Sequence, residues 1–421
     1  MPLCCRVLHR KWFTVVVVTP VSLVAIASIY SLRTHFFSTT TDNIDAEYLQ
    51  SKLSGGSADC RRWSYTGRIN RQSDAQVAAR LRPRNEPIPR PVRRPVPSER
   101  DDGGRYVSIC PASYDSRRTG NQLFVFAALL YVARRTNRTV VLPRRPENLT
   151  VDWLDEIFNV DVDELMPDGG MKYDELCPCY TFRERHALHF DERLSKLGDE
   201  PDVVDKRTIL LCGFFQSWRY AAEVEDRLRC RLSFRRNVSA LAVASLLRDG
   251  PPRGWETAPT VLRGTALRRT IQGVFRIGVH VRRGDFLDPG KRIFGYTVPG
   301  KAYFRRAVEF FKHRHRGARL HLIITSDDVR WTRLALADLG GDADRIWVTV
   351  TEPGRHYGVD MAMLAACDAV VVSSGSFGWW AAWLANGTTV YYRNWPQPRS
   401  KLALEFRRED YYPPKWISLY G

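Results

Sequence analysis

The stretch VHVRRGDF, Val279–Phe286, places two arginines and an aspartate directly behind a run of apolar residues. Consecutive side chains of an extended chain point to opposite sides, so one of Arg282 and Arg283 can reach a ligand while the other braces the loop. A guanidinium is planar, permanently charged and rich in donors, which suits a diphosphate. Asp285 can pair with the bracing arginine or orient His280. The stretch therefore predicts an anion clamp at a strand end.

Two other interpretations of this stretch stay open. The charged residues can form a purely structural ion-pair cluster at the end of a strand. The tripeptide Arg-Gly-Asp is also found in adhesion sites, but such a site needs an exposed loop tip, and here it follows the apolar run RIGVHV. The adhesion interpretation is therefore the weaker one.

A second loop with binding chemistry follows the apolar run AVVV. It contains Ser374, Gly375 and Ser376, and Phe377 then opens a tryptophan-rich helical pattern. Backbone amides and hydroxyls at a helix start bind phosphate, helped by the helix dipole. An ordinary serine cap on a buried helix, with the tryptophans in the core, is the plainer alternative.

Two more polar loops follow predicted strands. In TSDDVRW, Ser326 can cap a helix, or Asp327 or Asp328 can accept from the N1–H and exocyclic amine of a guanine. In GNQLF, Gly120 and Asn121 can approach a ligand by their backbone or form a helix-entry turn.

The elements that must position these loops alternate along the chain. From Tyr106 onward, short apolar runs bounded by turn residues alternate with helical patterns of about ten residues, which predicts parallel sheets with helices on both faces. Two such units fit residues 106–421. Ligands of these folds bind in the crevice outside the carboxyl ends of the strands, where all four loops fall. The pattern indicates a nucleotide site.

Composition limits the kind of partner. The 421 residues include 64 basic and 46 acidic side chains, a formal charge of +18. Such a balance predicts an anionic partner: a nucleic acid, a membrane surface or a phosphorylated small molecule.

The N-terminus carries a predicted membrane anchor. Trp12–Leu32 contains no Asp, Glu, Lys or Arg over 21 residues, enough to cross a bilayer, and Arg6, Arg10 and Lys11 precede it on the cytoplasmic side. A cleaved signal peptide, with AIA at Ala25–Ala27 as the cleavage site, is the alternative. The apolar run continues past that site, which favours the anchor. In either case the rest of the chain faces a lumen.

The predicted layout is a cytoplasmic tail over residues 1–11, a transmembrane helix over 12–32, a stem over 33–104 and a lumenal domain over 105–421. Residues 82–97 of the stem hold six prolines and five arginines, which predicts an extended spacer.

Cysteines and glycosylation sequons agree with a lumenal placement. Several of the seven cysteines beyond the anchor should pair, and their odd number leaves one over, for which Cys367 in an apolar run is the candidate. The Asn-x-Ser/Thr sequons, possible N-glycan sites, are Asn137, Asn148, Asn237 and Asn386.

The sequence motifs that could bind a metal are weak. Cys177 and Cys179 lack a second ligand pair at zinc spacing, and the Asp-x-Asp stretches at 161–163 and 342–344 do not close an apolar strand. The paired arginines offer another way to neutralise a diphosphate, so we expect no metal and no cofactor.

The loops resemble a known family. GVHVRRGDF, IITSDD and VVVSSGSFGWWAAWLANG resemble, in order and spacing, the three motifs of α1,2-fucosyltransferases. TGNQLFVFAALLYVARR, GFFQSWRY, DMAMLAACDAVVVSSGS and EDYYPPKWI are similar to its flanking segments, so the resemblance covers Tyr106–Trp416. Two stretches depart from the pattern. The family usually has glycine near Arg117, before Gly-Asn-Gln, where this chain has SRRTGNQ, and residues 231–272 match nothing in the family.

The resemblance implies a single-pass type II Golgi membrane enzyme that transfers fucose from GDP-fucose to galactose-terminated glycans, and no nucleic acid partner. It implies a metal-independent GT-B-like α/β fold of two Rossmann-type lobes, about 105–270 on the acceptor side and 271–421 on the GDP-fucose side. Arg283 would hold the β-phosphate. The predicted catalytic residues are Arg283, Asp285 and His280, and the predicted donor-binding residues are Arg282, Arg283, Asp327, Asp328, Ser374, Gly375, Ser376, Phe377, Asp360, Gly120 and Asn121.

The implied chemistry is a single displacement with inversion, for which a carboxylate must accept the proton of the galactose 2-hydroxyl. Asp285 is the first candidate for this base, followed by Asp288 and Asp360. Asp285 becomes a poor base if it forms a salt bridge with an arginine. Two other functions stay open: a fucosyltransferase with a different acceptor, and a non-catalytic lumenal protein that binds sulfated glycans.

Overall fold

The computed structural model describes a chain in two compact units, Met1–Glu47 and Tyr48–Gly421. The residues that it describes all belong to the second unit and are 49–50, 52–53, 104–110, 118–143, 154–160, 165–166, 172, 174–250, 274–341 and 344–421. No helix within these ranges is long and apolar enough to cross a membrane. The predicted tail and anchor, like residues 82–97, lie outside the described residues.

Four parallel strands form the first sheet, in the order β2-β1-β4-β3. The strands are β1 Tyr106–Ile109, β2 Thr139–Val140, β3 Cys179–Arg183 and β4 Thr208–Cys212. Every residue of β4 is buried, because it is an inner strand whose two faces are both covered.

Six parallel strands form the second sheet, in the order β10-β9-β8-β5-β6-β7. They are β5 Val274–Val281, β6 Arg319–Ser326, β7 Ile346–Val350, β8 Ala369–Val372, β9 Thr388–Tyr392 and β10 Ile417–Leu419. Consecutive residues of β5 are buried, so neighbours pack on both of its faces. The predicted pair of parallel α/β sheets is confirmed. The predicted lobe boundary near residue 270 falls outside the described residues.

The helices, in chain order, are α1 Thr119–Thr136, α2 Leu154–Ile157, α3 Arg193–Lys196, α4 Pro201–Val204, α5 Trp218–Glu223, α6 Glu225–Arg231, α7 Arg236–Arg248, α8 Pro289–Phe294, α9 Lys301–Arg314, α10 Val329–Ala335, α11 Tyr357–Ala365, α12 Ser376–Ala385, α13 Lys401–Leu404 and α14 Arg408–Tyr411. Short 3₁₀ turns lie at Gly284–Leu287 and Ala337–Gly340.

Helices α1 and α12 join the two sheets. The ring of Phe124 on α1 lies 4.6 Å from that of Trp379 and 5.1 Å from that of Trp380, both on α12. All three side chains are fully buried. The predicted core role of these tryptophans is therefore confirmed, and the core they share connects the two lobes.

Several cysteines form disulfides, as predicted. Cys110 is bonded to Cys212 at the ends of the adjacent strands β1 and β4, and Cys177 to Cys179. Cys230 is disulfide-bonded as well. Cys367, on the apolar stretch before β8, is the free cysteine of the described region and is buried, as predicted.

A short helical stretch at residues 49–53 packs into the domain. Leu49 and Leu53 are 0% and 1% exposed, and the Leu53 carbonyl accepts from the Phe234 amide at 3.0 Å. Lys52 Nζ donates to the Cys367 carbonyl at 2.7 Å and lies 3.5 Å from Asp368 Oδ1. These positions, within the predicted stem over 33–104, therefore contact the domain, and the stem as a whole stays a prediction. Two leucines four residues apart share one helix face, and that face is buried here.

Leu53→Ala should lower the free energy of unfolding by about 2–5 kcal/mol, because it leaves a cavity where a fully buried side chain packed. Urea denaturation of the full chain measures this. Leu404→Ala, at a position 73% exposed, is the matched control and should change stability by less than about 0.5 kcal/mol. Equal effects of the two substitutions would show that residues 49–53 do not dock.

Candidate functional site

Three strand ends of the second sheet lie side by side. Val281 of β5 is in register with Ser326 of β6, and His280 is in register with Val372 of β8. The loops that follow these strands therefore meet at one edge of the sheet. The predicted convergence of the Arg-Arg-Gly-Asp, Ser-Asp-Asp and Ser-Ser-Gly-Ser loops is confirmed.

Arg282 is the bracing arginine. Its Nη1 donates to Asp327 Oδ2 at 2.6 Å, and its Nη2 pairs with Asp285. Its backbone amide donates to Ser373 Oγ at 2.9 Å. The side chain thus ties the loop after β5 to the loop after β6, while its amide ties it to the loop after β8.

Arg283 is held in a different way. Its Nε donates to Asp328 Oδ2 at 3.2 Å, and its guanidinium lies 3.8 Å from the ring centroid of Trp331. The side chain is 14% exposed, and no described residue accepts from its two Nη groups. A guanidinium fixed by stacking and one hydrogen bond, with its outer donors unused, is arranged to bind an oxyanion. Of the two arginines, Arg283 is therefore the better candidate for the clamp.

The two aspartates after β6 hold the clamp. Asp327 accepts from Arg282 and, at 2.8 Å, from the Arg283 amide. Asp328, rather than Ser326, caps α10 by accepting from the Trp331 amide at 3.0 Å. Capping is thus confirmed, but at a different residue than predicted. A contact of either carboxylate with guanosine stays a prediction.

Asp285 is committed to an ion pair with Arg282, and its Oδ2 lies 4.0 Å from Arg118. A carboxylate already shared by arginines is a weak candidate for the general base. Asp288 is exposed at the start of α8, and Asp360 is buried in the first turn of α11. Asp288 is accordingly the better placed of the two to reach a substrate from solvent, and the identity of the base stays a prediction.

The loop after β8 has the features of an anion cradle. Gly375 has φ +86°, a left-handed conformation that glycine favours, and α12 begins at the next residue, Ser376. Ser374 is fully buried, and its hydroxyl has no hydrogen-bond partner among the described residues. A buried hydroxyl without a partner beside a helix start marks a polar site whose hydrogen-bonding capacity is unused among the described residues.

His280 lies under this cradle. It is buried, its Nδ1 is 3.2 Å from Ser373 Oγ, and the first turn of α12 packs on its ring at Gly378. Burial, with a smaller contribution from Arg282, lowers the pKa of His280 to about 3. A neutral, enclosed imidazole supports the loop. This placement suits a supporting role, and a catalytic role of His280 stays a prediction.

The free energy of unfolding should fall as the pH drops below about 6.5. Burial lowers the pKa of both His280 and His321 to about 3, so the unfolded chain binds protons that the folded chain does not. The stabilising contribution of each histidine is fully present above the pKa that it has in the unfolded chain. It is lost as the pH decreases, by up to about 1.4 kcal/mol per pH unit for each histidine. Urea denaturation at about pH 7.5, 6.5 and 5.5 measures the slope, and His321→Gln should reduce it. An unchanged slope would contradict this origin.

Gly120 and Asn121 join the lobes. A Cβ on Gly120 would lie 2.6 Å from the Phe377 amide nitrogen, and Asn121 Oδ1 accepts from Ser376 Oγ at 2.7 Å and from Gln216 Nε2 at 2.9 Å. The predicted close approach of backbone therefore exists, but to α12 instead of a ligand. A contact of Gly120 or Asn121 with the donor stays a prediction.

Sequence reasoning missed several participants. Trp331, which stacks on Arg283, follows Asp328 by three residues and so shares its helix face, a signal that was available. Phe286 and Tyr296, whose rings lie 4.4 Å apart beside the clamp, gave no signal beyond their type.

Groups of three or more His, Cys, Asp or Glu that could hold a metal are absent from the described part of the chain. The Asp-x-Asp stretch at 161–163 and the first two residues of the one at 342–344 lie outside it.

The second of the two parallel α/β sheets carries, at its strand ends, an arginine clamp whose geometry suits an anionic ligand. Residues 255–420 match the model of glycosyl transferase family 11. The matched residues contain the three motifs that resemble those of α1,2-fucosyltransferases.

Named relatives and solved structures extend the comparison. Galactoside alpha-(1,2)-fucosyltransferase 1 of Saimiri sciureus is 28% identical over 313 residues, 73% of this chain and 74% of the relative. The protein of the same name in Rattus norvegicus is 27% identical over 304 residues, 72% and 70%. A crystal structure of POFUT1 with GDP aligns at a TM-score of 0.41 and 14% identity over 69% of this chain and 99% of that one. One with GDP-fucose aligns at 0.41 and 13%, over 68% and 98%.

Proposed function

We propose that this protein is a galactoside 2-α-L-fucosyltransferase. It transfers L-fucose from GDP-fucose, with inversion, to the 2-hydroxyl of a terminal galactose on glycoprotein or glycolipid glycans. The observation that carries the proposal is the Arg283 guanidinium, which is fixed at a strand end with its outer donors unused. The names of the relatives, galactoside alpha-(1,2)-fucosyltransferases, support the choice of substrates.

The donor diphosphate lies between the clamp and the cradle. Arg283 binds the β-phosphate, and the hydroxyl of Ser374 with the amides at the start of α12 binds the neighbouring oxygens. The two lobes enclose the donor in a GT-B-type crevice. No metal is needed, because the arginine supplies the positive charge at the leaving group.

Charge development explains how these groups catalyse the reaction. As the bond to fucose breaks, the anomeric carbon gains oxocarbenium character and negative charge builds on the departing GDP. Donors fixed before the reaction stabilise that charge more than the ground state, since they need no reorganisation. The interactions of Arg282 with Asp285 and Asp327 keep the clamp loop in place while this happens.

The proposed cellular setting is the Golgi lumen, with the chain held as a single-pass type II protein by residues 12–32. The uncharged 21-residue stretch and the basic residues before it support this setting.

The test uses the full chain in detergent, labelled GDP-fucose and a panel of β-galactosides, with and without EDTA. We expect label on the galactose 2-hydroxyl, and transfer that survives EDTA. Donor binding without transfer to any galactoside would favour a fucosyltransferase with another acceptor. A folded chain that binds sulfated glycans but no GDP-fucose would favour the glycan-binding alternative, which the charge of +18 supports.

A further inference from the structure

A strained residue lies in the loop that leaves the first sheet after β4. Phe215 has φ +52°, a left-handed conformation that a bulky side chain rarely adopts, and it is fully buried. Such strain persists only where the surrounding structure enforces it, and it is concentrated at functional sites. The loop over residues 213–216 is therefore a candidate for a role in the reaction.

Hydrogen bonds from the first lobe hold this loop. Glu184, directly after β3, accepts from the Phe215 amide through Oε1 at 2.7 Å. The Ser217 amide donates to the Phe215 carbonyl at 2.8 Å, and the Gln216 amide donates to the Ala187 carbonyl at 3.0 Å. The backbone is thus fixed at Gln216 and on both sides of it, so the first lobe sets the point from which the Gln216 side chain extends.

The Gln216 side chain is connected to the anion cradle through one oxygen atom. Its Nε2 donates to Asn121 Oδ1 at 2.9 Å, and Ser376 Oγ donates to the same oxygen at 2.7 Å. A carboxamide has one accepting and one donating end, so the N–H group of Gln216 selects the oxygen end of Asn121 for this contact. That oxygen in turn fixes the direction of the hydroxyl of Ser376, the first residue of α12.

We propose that Gln216 is a positioning residue for fucose transfer. It acts through Asn121 on Ser376 and so holds the start of α12 in the orientation that binds the donor diphosphate. The inference rests on the proposed function, since the cradle is proposed to bind GDP-fucose. Gln216 and Asn121 belong to the first lobe and Ser376 to the second, so the first lobe orients a part of the donor site that the second lobe carries.

Two variants of Gln216 test the proposal. Gln216→Met keeps the length of the side chain and removes its N–H donor, and Gln216→Glu keeps its shape but places a second acceptor against Asn121 Oδ1. Both should raise the dissociation constant of GDP and lower kcat/KM by about tenfold, the loss expected for one hydrogen bond. The KM for a β-galactoside should stay within about twofold, because the residue acts on the donor site.

Calorimetric titration of the full chain in detergent with GDP, together with steady-state transfer kinetics, measures these values. Gln397→Met changes an exposed glutamine, is the matched control and should alter neither GDP affinity nor kcat/KM by more than about twofold. Near-UV circular dichroism checks that each variant is folded. Failure of both Gln216 variants to fold would assign this residue a purely structural role and overturn the proposal.

A double-mutant cycle with Asn121→Ala separates positioning from a structural role. Once Asn121 is truncated, Gln216→Met should cost no further GDP affinity, because the residue through which it acts is gone. Additive losses, a rise in the galactoside KM alone, or GDP affinities equal to that of Gln397→Met would each overturn the proposal.

GDP binding needs no acceptor, so this inference and the proposed function can fail separately. A wild-type chain that binds GDP but transfers fucose to no galactoside would count against the proposed function alone, and the cycle on GDP affinity would still decide for or against Gln216. A folded wild-type chain that binds no GDP would overturn both.

Discussion

Arg283→Ala is expected to lower kcat/KM for fucose transfer by about 10²–10³-fold, the usual cost of removing one preorganised donor from a developing charge. Arg283 is the arginine of the pair whose Nη groups no described residue occupies. Its stacking on Trp331 and its single bond to Asp328 keep it in place before the donor arrives. Steady-state kinetics with varied GDP-fucose, alongside calorimetric titration with GDP, measures the loss.

Two companion variants separate charge from geometry. Arg283→Lys keeps the charge but loses the planar fork, so we expect a loss of about tenfold or more. Arg330→Ala removes an exposed arginine of α10 and should leave kcat/KM within about twofold. Should Arg283→Ala bind GDP and turn over as Arg330→Ala does, the clamp would have to be assigned to another residue.

Arg282→Ala should lower stability as well as activity. Its side chain bonds Asp285 and Asp327. Its removal leaves two partly buried carboxylates without that partner, so stability should fall together with activity. The pair of variants thus tests the division between the residue that binds and the residue that braces.

The fold could be predicted from the sequence because its strands and helices are indicated by local sequence patterns. Bounded apolar runs such as LHLIIT and AVVV fix strands, and the residues after them must lie at the carboxyl edge of a parallel sheet. The convergence of the Arg-Arg-Gly-Asp, Ser-Asp-Asp and Ser-Ser-Gly-Ser loops follows from this rule alone. The expectation that one of Arg282 and Arg283 binds while the other braces the loop follows from the alternation of side chains along an extended chain.

The side-chain partners within the site could not be predicted from the sequence, because they depend on contacts between distant parts of the chain. Arg282 meets Asp327 across 45 positions, a contact set by the register of β5 and β6. Similarly, His280 looks like an acid or base by type, and only its burial under α12 shows it to be neutral. Leu49 and Leu53 precede a proline- and arginine-rich segment with the composition of a spacer. The residues that bond this part of the chain lie about 180 to 315 positions further on.

Gly120→Ala should lower the free energy of unfolding by about 3 kcal/mol. The added Cβ would lie 2.6 Å from both the Phe377 amide nitrogen and the Ser376 carbonyl carbon, and backbone atoms cannot rotate out of the way as a side chain can. The clash can be relieved only if the starts of α1 and α12 separate. That separation displaces the cradle, and a shift of about 1 Å is enough to reduce the rate about 10²-fold.

Urea denaturation and fucose transfer, the latter measured at a temperature where the variant is folded, check the two effects separately. Gly317→Ala is the matched control, because nothing lies within 4 Å of its added Cβ, and it should alter stability by less than about 0.5 kcal/mol. A Gly120→Ala enzyme as stable and active as this control would mean that the helix starts do not meet, and the cradle would then belong to the second sheet alone. Loss of both properties would instead establish that a glycine of the first lobe sets the position of the groups proposed to bind the donor.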